Sequence, residues 1–296
     1  MKTIKKALTG WGWKGQAAIV AMLLAASFVQ SQAQVTNLTS GSTSLQITLG
    51  GPNAGLSDWL VGGVNQLGYQ WLYYSVGASA VSSIDTISPF TAPTFVNAQP
   101  NPFLTETYAN STLSVKTTYQ LQGSSSASGS AGLQTTINLQ NLSGSTQTFH
   151  LYQYSDFDLG GVLGNQTVQF AGTGMPYQVT QTGPVGSGPL KGSISALGAT
   201  VEEIAGIEGT NLLGLFPGSQ APTYNDSSLT AGPGDVAYAY EIDITLSANQ
   251  SLTVSELQTV PEPSTMALIF VGTLSFGVCY GRKLVSFKKA VKNTSL

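Results

Sequence analysis

Between Val35 and Val260 the chain has no cysteine and no arginine. Its one cysteine, Cys279, sits in an apolar run near the C-terminus, so the body can form neither a disulfide nor a thiolate metal site. The body's basic side chains are Lys116 and Lys191, set against thirteen acids, a net charge of −11. Nucleic-acid binding needs basic surface and is excluded by that balance, which also argues against an anionic membrane surface. Histidine occurs once, at His150. A Ser-His-Asp triad would have to use it, yet no Gly-x-Ser-x-Gly elbow accompanies it, and there is no His-Glu-x-x-His or phosphate-binding loop. As a single polar residue on a strand, His150 carries no chemistry by itself. Helical periodicity is missing too, since apolar stretches are broken by Gly, Pro or Ser/Thr clusters before a 3.6-residue period is established. No repeat of fixed length appears, which excludes a propeller or β-helix.

What remains is a body of neutral polar residues around alternating apolar runs. With only two lysines and thirteen acids, its surface must be built from Ser, Thr, Asn, Gln and Gly, while its aliphatic and aromatic content is enough for a core. Period-2 alternation marks strands at Ser44–Leu49, Trp59–Val64, Leu67–Val76, Ser111–Gln122, Leu133–Gln140, Gln147–Leu159, Asp235–Leu246 and Ser251–Gln258. Leu113, Val115, Thr117, Tyr119 and Leu121 fall on one face; so do Tyr238, Tyr240, Ile242, Ile244 and Leu246, with Glu241 and Asp243 pointing outward. The three runs from Ser111 to Leu159 read as an antiparallel meander. Ile84–Pro102, with four prolines, reads as a connection between sheets with a short edge segment at Thr94–Asn97, and Gln220–Pro233 as a loop. Ten to thirteen strands predict an all-β, antiparallel β-sandwich or jelly-roll-like single domain over residues 34–259.

Both ends carry address signals. Lys2, Lys5, Lys6 and Lys14 precede the apolar Ala17–Val29, and Ser31-Gln32-Ala33 is a small-x-small site. These are the three parts of a secretory signal peptide over residues 1–33, cut between Ala33 and Gln34 by signal peptidase. At the other end Val260, Pro261, Glu262 and Pro263 precede Ser264–Tyr280, seventeen residues without a charge, and then Arg282-Lys283. At 1.5 Å per residue the run makes a helix of roughly 25 Å, at the short end for a bilayer. Lys288, Lys289 and Lys292 follow in a basic tail, 284–296, that stays on the cytoplasmic side. This order closely resembles the bacterial PEP-CTERM sorting signal, here over 260–283, with a longer tail than usual. The resemblance implies recognition by a membrane exosortase during export, with the span as an anchor before processing. It also implies a setting in the envelope or exopolysaccharide matrix.

Candidate sites in the body are sparse. Asp156 and Asp158, followed by Gly160-Gly161, could offer two carboxylates to Ca²⁺, although a third acid and a closing Glu are missing; the plainer reading is a strand ending at a Gly-Gly turn. The same pair could serve glycoside hydrolysis. Trp59, Trp71 and Tyr73, with Tyr69 and Tyr74, could stack on sugars or fill the core. Asn-x-Ser/Thr sequons fall at Asn37, Asn110, Asn141, Asn165, Asn225 and Asn249. Together these features predict an exported, non-enzymatic cell-surface or matrix protein that needs no cofactor. Its expected partners are exosortase, signal peptidase and envelope polysaccharide. A carbohydrate-binding module, Ca²⁺-dependent or not, is the alternative, and a glycoside hydrolase the third reading.

Overall fold

The computed structural model describes residues 34–51, 53–88, 90–123, 130–171, 175–184, 187–207, 212, 214, 216, 218, 226 and 228–261, all within one compact unit. Eighteen strands run through these residues: β1 (Gln34–Ser40), β2 (Thr43–Leu49), β3 (Gly55–Val61), β4 (Val64–Asn65), β5 (Tyr69–Val76), β6 (Ser82–Ser83), β7 (Phe90–Val96), β8 (Phe103–Ala109), β9 (Leu113–Gln122), β10 (Ser130–Asn141), β11 (Gln147–Asp156), β12 (Gln166–Ala171), β13 (Tyr177–Thr182), β14 (Pro189–Ser195), β15 (Thr200–Ile207), β16 (Thr230–Gly234), β17 (Val236–Leu246) and β18 (Ser251–Pro261). They form two nine-stranded antiparallel sheets. Sheet 1 has the order β1-β2-β3-β5-β11-β17-β15, with β4 on β3 and β6 on β5; sheet 2 has the order β16-β12-β13-β14-β18-β10-β9-β8-β7. The all-β sandwich expected from the alternation is the observed architecture. Among the described residues no helix is long and apolar enough to cross a membrane, and the apolar run 264–280 lies outside them.

Alternation decides which face each strand buries. In β2, Thr43, Leu45, Ile47 and Leu49 are buried and the residues between them are half-buried; β9 buries Leu113, Val115, Thr117, Tyr119 and Leu121 in the same way. β5 is buried on both faces through Gln70–Tyr73, because its outward side is itself covered. Aromatic rings fill the space between the sheets. Phe157 stacks on Tyr238 at 6.2 Å, and Phe170 meets Tyr238 and Tyr240 edge-on at 5.9 and 5.5 Å. Such offset and T-shaped pairs let ring edges meet ring faces.

Two buried polar knots interrupt this apolar layer. Glu256 on β18 accepts hydrogen bonds from Gln153 Nε2 (2.5 Å) and Gln70 Nε2 (3.4 Å) of the opposite sheet. Glu106 on β8 accepts from Tyr108 Oη (2.9 Å) and Tyr119 Oη (3.2 Å). No cation faces either carboxylate among the described residues, and burial pushes both pKa values up to about 7, with the tyrosine and amide donors working against the rise.

Several expectations give way. β9, β10 and β11 are not one meander: β10 pairs with β9 and β18, whereas the turn after Asn141 carries the chain across the sandwich, so β11 pairs with β5 and β17. β1, β7 and β16 are edge strands that complete the sheets. Their polar or Pro/Gly-bearing sequences hide the alternation, because an edge strand is held by backbone pairing on one side and needs little apolar surface. Glu241 faces away from the core as expected, yet it is buried.

Candidate functional site

Strand β18 carries the start of the sorting signal. It lies between β14 and β10 in the middle of sheet 2, and its register runs to Ala131↔Val260 and Ser130↔Pro261. Val254, Glu256, Gln258 and Val260 are all buried on the core face. Prolines fix φ and disfavour helix just before them, which by itself would leave this segment extended and accessible. Val260 and Pro261 are extended, but as ladder residues of a central strand, and Val260 is closed to solvent. Pro261 needs no donor for a ladder that ends there. Glu262 and Pro263, like Ala33, lie outside the described residues; Gln34 opens β1.

The outward face of sheet 1 holds the aromatic residues. β5 presents Tyr69, Trp71 and Tyr73, and β11 presents Tyr152 and Tyr154 in register with Tyr73 and Trp71. Phe216 lies over them, stacked on Tyr73 at 4.7 Å and edge-on to Tyr152 and Tyr154. Trp71 Nε1–H donates to Ser83 Oγ at 2.7 Å. Trp59 packs against Phe157. Trp59, Trp71 and Tyr73 are 0%, 1% and 4% exposed, so a sugar ring would have to displace their cover before it could stack on them. The geometry puts these rings in the core rather than on a platform.

At the end of β11, Asp156 and Asp158 meet a third carboxylate that sequence spacing did not show. Asp235, between β16 and β17, brings one oxygen so that the three ligand atoms lie within 4.8 Å of one another. The loop 66–68 braces the group: Gly68 N–H donates to Asp156 O and Asp158 N–H to Gln66 O, each at 3.0 Å. A Cβ at Gly68 would lie 3.0 Å from Oδ2 of both Asp156 and Asp158, so a larger residue there would press on both carboxylates. Burial and then the charge of Asp235 raise the pKa of Asp158. The donor set is all oxygen, the kind that suits Ca²⁺ or Mg²⁺.

A second cluster was not anticipated. His150 Nδ1 lies 2.5 Å from Asp243 Oδ1 and 3.4 Å from Glu241 Oε1. Tyr152 Oη–H donates to Glu241 Oε1 at 3.2 Å. Glu202 on β15 is the register partner of Glu241. Nothing in the linear order pairs residue 150 with 241 and 243, because the contact depends on β11 and β17 being neighbours.

The fold and the end of β18 thus define a β-sandwich protein whose last described strand overlaps the start of an address signal. The chain carries the PEP-CTERM protein-sorting motif, matched over residues 259–283. No curated protein matches the chain by sequence. Similar solved structures include a bacterial glucoamylase complexed with acarbose, at 13% identity and TM-score 0.46, where the match covers 83% of this chain and 36% of that one. The Slr1438 protein of Synechocystis sp. PCC 6803 is 12% identical over 80% of this chain and 99% of that one, with TM-score 0.48. A galactose mutarotase-like protein from Clostridium acetobutylicum is 9% identical over 79% and 97%, with TM-score 0.45. At this distance the likeness bears on no activity.

Proposed function

We propose that the chain is a non-enzymatic protein of the cell surface or exopolysaccharide matrix. The sorting motif implies export, membrane anchoring before processing, and exosortase as the processing partner. The observation that carries the finer reading is the junction at β18. The motif begins at residue 259, whereas the strand ends at Pro261, so the folded body and the sorting signal share three residues with no linker between them. A body built this way is presented directly at the membrane surface and handed to the processing enzyme as a finished domain. The acidic, lysine-poor, hydroxyl-rich surface fits a hydrated extracellular setting.

Intact-mass measurement and terminal peptide mapping of the protein from its host test the proposal. The expected product begins near Gln34, ends close to Pro263 and is recovered outside the inner membrane. Recovery of a chain that keeps 264–296 would overturn the sorting step. Turnover of envelope polysaccharide by the purified body would overturn the non-enzymatic reading.

A further inference from the structure

We infer that His150, Glu241 and Asp243, with Glu202 beside them, bind a divalent transition-metal ion such as Zn²⁺ on the outward face of sheet 1. Three neighbouring strands assemble the group. His150 on β11 is the register partner of Asp243 on β17; Glu241, two residues along β17, is the register partner of Glu202 on β15. Positions two apart on a strand share a face, so one imidazole and three carboxylates stand on the same side of the sheet. One ligand atom from each of His150, Glu241 and Asp243 lies within 4.8 Å of the others.

Charge is the first argument. Glutamates directly opposite each other across a ladder repel, and Glu202 and Glu241 are such a pair. The body's two lysines, Lys116 and Lys191, belong to β9 and β14 of the other sheet, and the body has no arginine. Even a protonated imidazole would leave the group with a surplus of negative charge.

Chemistry and geometry narrow the ion. A nitrogen ligand among carboxylates suits Zn²⁺ and its neighbours, whereas Ca²⁺ and Mg²⁺ take all-oxygen sets. Ligands about 2.0–2.1 Å from a tetrahedral zinc stand roughly 3.4 Å apart, which is the 3.4 Å spacing of His150 Nδ1 and Glu241 Oε1. The tighter His150–Asp243 contact would open by about 1 Å to admit the ion. The Tyr152 hydroxyl on Glu241 is the kind of hydrogen bond that orients a ligating carboxylate. Glu241 is held by burial, while the side chains of His150 and Asp243 are 21% and 32% exposed and leave a way in from solvent.

Because His150 is the only histidine, its imidazole reports the site directly. The full chain, purified in detergent without a polyhistidine tag and with Cys279→Ser to remove the thiol, is titrated with Co²⁺. The expected result is one ion per chain, a visible d–d absorption displaced by Zn²⁺, and paramagnetic loss of the single ¹⁵N-histidine signal. His150→Gln and Asp243→Asn should each weaken binding at least tenfold, with unchanged circular dichroism, while Asp156→Asn leaves it intact. If a substitution disturbs folding, the histidine signal of the unsubstituted chain decides alone. A histidine signal that Co²⁺ leaves untouched would overturn the inference and make the group a plain imidazolium ion pair. So would Co²⁺ binding that survives His150→Gln, or that depends on Asp156, which would place the cation at the Asp156–Asp158–Asp235 cluster.

Discussion

Asn141 occupies every polar atom of its amide. Nδ2 donates to Ser145 O (2.8 Å) and Leu246 O (2.9 Å), and Oδ1 accepts from Ser143 N–H (2.9 Å) and Ser143 Oγ (2.7 Å). It is fully buried, so its sequon is closed to glycosylation. The residue locks the turn by which the chain changes sheets. Asn141→Ala would take this donor from the carbonyls of Ser145, Leu246 and Ser247, and we expect a loss of about 2–4 kcal/mol in chemical denaturation. Gly123 plays a similar joining part. Its N–H donates to Ser40 Oγ at 3.0 Å, and a Cβ there would sit 2.2 Å from the Ser40 carbonyl oxygen. Gly123→Ala should therefore cost about 1–3 kcal/mol as β1 is pushed away, measured by the same denaturation. A substitution without effect would mean that the end of β9 does not approach β1 so closely. Neither role can be read from the local sequence alone, because Leu246, which Asn141 ties to the turn, and Ser40, which Gly123 approaches, lie far along the chain.

At the scale of the element, β18 does two jobs. Its alternation was legible, and Val254 and Val260 are buried as a period of two requires. That the same strand lies centrally, between β14 and β10, was not legible, since both neighbours are chosen by the topology of the whole sandwich. The two faces predict opposite outcomes. Val260→Asp places a carboxylate in the core and should lower stability by more than about 3 kcal/mol. Leu257→Asp, on the face that leaves Leu257 40% exposed, should change it by about 0.5 kcal/mol or less. Thermal unfolding of the two variants measures the difference, and equal effects would place β18 at an exposed edge instead. The carboxylate clusters have the same origin. Asp156 and Asp158 stood out in sequence as a pair; Asp235 joins them only because the chain entering β17 lies beside the end of β11.

For the whole molecule, pH is the informative variable. Burial raises the pKa of Glu106 and Glu256 to about 7, and burial together with Asp226 raises that of Glu203 to about 8, from an ordinary 4.5. A carboxyl with a raised folded-state pKa holds its proton more tightly when folded, so its contribution is fully present below about pH 4.5 and is lost as pH rises through 7 to 8. The net negative charge of the body adds repulsion in the same direction. The melting temperature should fall steadily between pH 5 and pH 9. Glu106→Gln with Glu256→Gln should flatten that slope, because an amide keeps the neutral form at every pH. A melting temperature that is flat or rises over this range would show that these carboxylates are not buried as described.

The order of residues by itself determined the class of the body, which strand faces are apolar, the acidic charge and the sorting motif. Each of these is local: a period of two, a count, or a short run of prolines, apolar residues and bases. Tertiary structure decided the rest. It closed the cover over Trp71 and Tyr73, sent β11 across to the sheet opposite β10, and drew the motif's first residues into a central strand. It also placed His150 beside Glu241 and Asp243. Those outcomes depend on which strands become neighbours, and strand pairing is set by how the whole chain buries its apolar faces at once, a property no single stretch contains.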